Sequence, residues 1–214
     1  HQRFRLGRGF YMPRAQWTEV QSVHWRALPL WSLLGELGQK VGVVGYWGTW
    51  PAYPVNGFLI SSRMGIRAKR RASQRVTWPR ELEEQLETLA PTRQDVPELF
   101  DQLRVSACEP PLIERNTVLQ KILLQDELYF RISRRMLPKM EDGFFTVYFR
   151  APDVVSHAAL PWRHGGKLPE GCPESVRESV DGTYIQVDRW LGQLIELLPD
   201  EATVRKLYDN LIFM

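Results

Sequence analysis

The sequence predicts an α/β fold, and three observations predict it. LPLWSLLGELG (28–38) reads as a short helix, and two residues later the glycine-punctuated, β-branched run in KVGVVGYW (40–47) reads as a buried strand. GFFTVYF (143–149) places six strand-type residues behind a glycine. Near the end, Val180, Tyr184, Val187, Leu191, Leu194 and Leu198 recur at helical spacing, which predicts an amphipathic helix on a core. Helices and buried strands joined by short links are the pattern of α/β units.

The remaining elements follow in chain order. Residues 1 to 24 are polar and aromatic without a period and read as loop. Pro29 suits the first turn of the first helix and Gly38 its C-terminal cap. GTWPAYPVNG (48–57) is a proline-rich loop, and FLIS (58–61) is a second extended piece. Residues 79 to 137 read as helical. Pro79 opens the first of these helices, with Leu82, Leu86 and Leu89 as its stripe. Asp95 and Glu98 form a capping-box pattern. From Asn116 to Leu137, Val118, Ile122, Tyr129, Ile132 and Met136 share one face. In the last helix Gly182 weakens the first turn; Pro199 stops it, and Thr203–Val204 would begin another strand.

Composition bounds the function. At 214 residues the default is one domain. With 43% hydrophobic and 25% charged residues, the chain is globular rather than disordered, collagen-like or cysteine-stapled. A net charge of +3 permits a polyanionic partner without demanding one. RAKRRASQR (67–75) carries five basic residues. A solvated loop is the plain reading and a phosphate-contacting patch the sharper one; no aromatic is interleaved for base stacking, and nucleic acid is not an expected partner. Cys108 and Cys172 lack metal-ligand spacing and read as free thiols, with a single disulfide as the alternative that spacing does not decide. No apolar run approaches the ~20 residues of a membrane span, and no leader is visible. The chain begins HQRF, which suggests that its natural start lies upstream.

The chemistry concentrates in PDVVSHAALPW (152–162), where Asp153 and His157 follow the 144–149 strand. Ligand groups of open α/β sheets collect beyond the carboxyl ends of the strands. A carboxylate oxygen and a neutral imidazole nitrogen are ordinary zinc ligands, and one helical turn brings positions four apart to one side. The plainer alternative is an Asp that caps a turn beside a surface His, and two donors are fewer than a site needs. His24 and His164 stand in no motif.

VYFRAPDVVSHAALPW resembles the D-x-x-SH segment of the alkaline phosphatase superfamily, in its type I phosphodiesterase/nucleotide pyrophosphatase-like branch. GVVGYWGTWPAYPVNGFLISSR, VTWPRELEEQLETL and YIQVDRWLGQLIELLPDEATV resemble that branch in order, over roughly residues 25–204. The resemblance implies a partial three-layer α/β/α sandwich spanning 1–214 as one incomplete domain, with a helical insertion at about 65–140. It implies hydrolysis of phosphoric esters at two divalent ions, commonly zinc, with a Thr or Ser nucleophile. Asp153 and His157 match two of the metal ligands. Thr49 and Trp50 of the TWPA loop would line the substrate cleft, with packing of the loop as the alternative. Asp188 is matched as a structural helix residue. The family's first metal-binding Asp and its nucleophile have no counterpart in residues 1–24, where Thr18 and Ser22 lack the preceding strand. After DEATV, RKLYDNLIFM replaces the apolar strand that carries two further ligands. The expectation is therefore a fragment, inactive alone, of an enzyme acting on nucleotides or other small phosphate esters. Sulfate or phosphonate esters are alternatives within the superfamily, and a non-catalytic module binding polyanions through 67–75 is the rival reading.

Overall fold

The computed structural model describes residues 20–65, 74–96, 110–140, 142–163, 165–168, 170–172 and 174–198, with backbone alone for 110–118. Thr18, Cys108, His164 and the strand expected at Thr203–Val204 lie outside the described residues. Helix α1 (Leu30–Glu36) leads into strand β1 (Val41–Val44). Pro29 sits just outside α1 as its N-cap, and Gly38, at φ 85°, reverses the chain after it, a conformation glycine adopts without a Cβ clash. The proline-rich loop then leads to β2 (Gly57–Ile60), and a short β3 (Thr77–Trp78) precedes α2 (Leu82–Glu87). Pro79 thus ends a strand rather than starting the helix. The two-residue β3 is too short to show a period in sequence.

A 3-10 turn covers Arg93–Asp95. Here the Asp95 carboxylate accepts hydrogen bonds from the Thr92 amide (2.5 Å) and hydroxyl (2.9 Å), closing a box that begins at Thr92. The expected box from Asp95 to Glu98 runs onto a residue outside the described set. Arg131, together with these Thr92 bonds, holds Asp95 well below the usual carboxylate range, at about 2. Helix α3 (Pro110–Met136) follows, then β4 (Phe144–Val147), α4 (Ala151–Arg163) and α5 (Ser179–Ile195).

The sheet runs in the order β3-β2-β1-β4. β1 pairs in parallel with both β2 and β4, while β3 is antiparallel to β2. Strand alternation sorts the apolar side chains onto two faces. Val41, Val43 and Leu59 pack with Trp31 of α1. Val44, Phe58 and Ile60 pack on the other face with Leu128, Tyr129 and Ile132 of α3. Helices therefore cover both faces of the sheet, an α/β arrangement in which α3 is one of the covering layers. A third cluster joins Leu119, Leu123 and Phe130 of α3 to Ala151, Val155 and Ala159 of α4 and Val180, Trp190 and Leu194 of α5.

The last helix forms where its period predicts it, but its buried face is shifted. Val180, Thr183, Trp190 and Leu194 are buried, whereas Tyr184 and Leu191 are exposed. The apolar positions describe a stripe wider than one face. Trp190 decides the orientation, because its ring stacks on Phe130 (centroids 5.6 Å apart) and meets Phe149 (5.2 Å). A large aromatic buries more apolar area than the alternatives on the other side. Cys172 is disulfide-bonded, which corrects the expectation of free thiols.

Replacing Trp190 by alanine should cost about 3–5 kcal/mol of stability, while Leu191→Ala should cost under about 1 kcal/mol. Urea unfolding of the two variants measures the difference; equal losses would mean the face has been assigned wrongly.

Candidate metal-binding site at the carboxyl end of the parallel strands

β4 runs parallel to β1 and ends at Val147, with Tyr148, Phe149 and Arg150 between it and α4. α4 starts because Arg150 offers its carbonyl to the Val154 amide (3.2 Å), and Pro152 is tolerated in a first turn whose amides have no intrahelical partner. This start places Asp153 in the first turn of α4. Val155 and Ala159 turn into the core, and Asp153 and His157 turn out to solvent.

The spacing of four residues becomes one helical turn. Asp153 Oδ1 and His157 Nε2 lie 3.3 Å apart, with 59% and 80% of their side chains exposed. The sequence-predicted pair is thus brought together, beyond the carboxyl end of a parallel strand and open to solvent. A carboxylate in the first turn also benefits from the positive end of the helix dipole. Among the described residues no group of three or more His, Cys, Asp or Glu is assembled to hold a metal ion. The donor chemistry of the pair suits zinc, as two ligands of a larger set.

Thr49 and Trp50 lie in the loop after β1 and are buried. Thr49 Oγ1 donates to the Tyr46 carbonyl and accepts from the Ser62 amide at 3.1 Å, tying the loop to the segment after β2. The Trp50 ring packs in the α3-side core and lies under the Arg63 guanidinium, 3.9 Å from the ring centroid. Of the basic stretch 67–75, only Gln74 and Arg75 fall within the described residues. His24 accepts the Gln21 amide at Nδ1 (3.1 Å), a local turn contact. A cavity of about 650 Å³ lies beside α1, between residues such as Trp25, Pro29 and Ser32 and the 53–56 loop; none of the four predicted site residues lines it.

Three residues of α3 make polar contacts that the sequence does not announce, although Tyr129 stands on the apolar face identified above. Tyr129 donates its hydroxyl proton to the Ser61 carbonyl (3.1 Å). Gln125 Nε2 donates to the carbonyls of Ser62 (3.0 Å) and Met64 (3.1 Å). Asp126, fully buried, accepts at Oδ2 the amide of Ala151 (2.6 Å), the first residue of α4. A signal is present in the sequence: Asp126 lies between Ile122 and Tyr129 on the apolar face already identified. Burial pushes the Asp126 carboxyl up to about 7, against the lowering effect of the Ala151 and Arg150 amides and the Arg150 charge. Tyr148, just beyond β4, is raised chiefly by burial and further by the Asp153 charge.

A protein-family model, Type I phosphodiesterase / nucleotide pyrophosphatase, matches residues 6–207. The chain belongs to that family. Type I phosphodiesterases are part of the alkaline phosphatase superfamily, and membership supports a phosphoric ester hydrolase acting on a phosphate-ester substrate. The mixed α/β architecture agrees with the fold of this family. The family is generally metal-dependent. A search of curated proteins and a search of solved structures each returned no match. No helix among the described residues is long and apolar enough to cross a membrane.

The raised value of Asp126 gives a pH signature. The folded state holds this proton up to about pH 7, whereas an unfolded Asp releases it near 3.8. The folded state therefore binds more protons across that window, and stability falls as pH rises through it. Wild type should lose stability relative to Asp126→Asn between about pH 5 and about pH 8, by urea unfolding at both values; a constant gap would contradict the assignment.

Proposed function

We propose that this chain supplies Asp153 and His157 as two ligands of a divalent-metal site that hydrolyses phosphoric esters. The observation that carries the reading is the 3.3 Å approach of the two side chains, one turn apart on the helix that follows a parallel strand, in a chain of this family. Zinc is the proposed metal, with two ions in the complete site. When bound, such an ion supplies Lewis-acid stabilisation of the oxygens around phosphorus.

The residues of the chain do the holding. Asp153 offers a carboxylate oxygen, an ordinary ligand for a divalent ion. His157 offers an imidazole lone pair, for which a proton and a cation compete. Exposure of both leaves room for a substrate to reach the same point from solvent. Thr49 and Trp50 support the site by fixing the loop beyond β1; in this reading they shape the substrate wall through that loop. A catalytic zinc site uses three protein ligands, so two donors hold a metal weakly. The chain by itself is accordingly proposed to turn over little or no ester. Nucleotides and other small phosphodiesters are the proposed substrates, favoured over sulfate and phosphonate esters by the family to which the chain belongs.

Zinc affinity, read by competition with a chromophoric chelator, tests the pair. Asp153→Ala and His157→Ala should each weaken binding about tenfold or more, since even the loss of a group that only orients a ligand costs about 10–100-fold. Because both side chains are exposed, each variant should stay within about 0.5 kcal/mol of wild-type stability. Variants that bind zinc as wild type does would overturn the assignment.

A further inference from the structure

We propose that Asp126 is a positioning residue for the Asp153–His157 pair. The inference rests on the metal-binding reading above and concerns a residue that reading does not include. The Asp126 carboxylate projects from the middle of α3 and accepts the Ala151 amide (2.6 Å) and the Arg150 amide. Those two donors belong to the last residue before α4 and the first residue within it. A helix ordinarily has its first amides capped by a residue of its own chain segment just ahead of it. Here the cap comes from a different helix, 25 residues earlier in sequence.

The geometry has a direct consequence. Asp153 is two residues beyond the capped Ala151 amide, and His157 is one further turn along the same helix. The angle and rotation at which α4 leaves β4 set where the two donors point, and Asp126 fixes both to α3. α3 is itself anchored to the end of β2 by Tyr129 and Gln125. The pair is therefore referenced to the sheet through buried hydrogen bonds, although its own side chains are in solvent. The second carboxylate oxygen, Oδ1, is buried with no hydrogen-bond partner. A carboxylate is expensive to bury half-satisfied. Leucine would fill this position at lower cost, so packing alone does not account for an acid there.

The test uses the whole chain at about pH 8, above the range in which Asp126 releases its proton, with zinc alone as the probe and two readouts. Asp126→Ala removes the acceptor, and Asp126→Asn keeps the shape with a weaker, neutral one. Zinc affinity should fall about 10–100-fold in Asp126→Ala, as for loss of other groups that orient metal ligands, and about 3–10-fold in Asp126→Asn. Amide hydrogen exchange at residues 151 and 153–155 should speed up in the same order, while amides of β1 keep wild-type protection. Wild-type affinity in both variants overturns the proposal, as does a fall in affinity that comes only with loss of protection throughout the chain. If Asp126→Ala does not fold, Asp126→Asn decides alone, and unchanged zinc affinity in it is the overturning result. Failure of the metal reading looks different: wild type itself then binds no zinc, and both proposals fall together.

Discussion

The arrangement depends on how α3 satisfies backbone groups where the parallel strands end. A strand that stops inside a covered sheet leaves carbonyls and amides without ladder partners, and an unpaired buried backbone group costs about as much as a lost hydrogen bond. α3 meets this need with side chains. Tyr129 and Gln125 serve the carbonyls after β2, and Asp126 serves the amides after β4. Gly45 makes the approach possible: at φ 77° it ends β1, and a Cβ there would lie 2.7 Å from the Tyr129 ring. The short span of helix from Gln125 to Tyr129 thus sets the positions of three separate strand ends.

The electrostatics divide in two. Inside, Asp126 is an acid in an apolar setting, eased only by two amides and the Arg150 charge. Outside, Asp153 and His157 are solvated and their mutual attraction is worth little. The inner carboxylate bears on where the outer one sits, while the outer pair has little effect on whether the chain folds. That separation suits a ligand site, since donors can be presented to solvent only if something beneath them is rigid.

Much of the fold is legible in the sequence, and the exceptions have physical reasons. β1, β2, β4 and the final helix stand where periodicity and β-branched runs place them, because long-range packing and local preference agree there. The pairing of Asp153 with His157 is legible too, since a spacing of four has one compact solution on a helix. β3 is not, because two residues carry no period. The face of α5 is ambiguous in sequence because Tyr184 and Leu191 are as apolar as the buried positions; only the Trp190 stack breaks the tie. The bond at Cys172 leaves no trace in spacing. Asp126 is visible as a letter out of place in an apolar stripe, but its partner lies 25 residues away and only the fold brings them together.

β4 carries a last implication. Among the described residues it closes one side of the sheet, and its four residues are only half-covered. Parallel strands normally run inside a sheet, flanked on both sides. Among the described residues one flank of this Phe-Phe-Thr-Val strand has no ladder partner, and the amides and carbonyls there are a template for an extended segment that arrives in register. The same strand that aims the first turn of α4 is thus also the seam along which this sheet would grow.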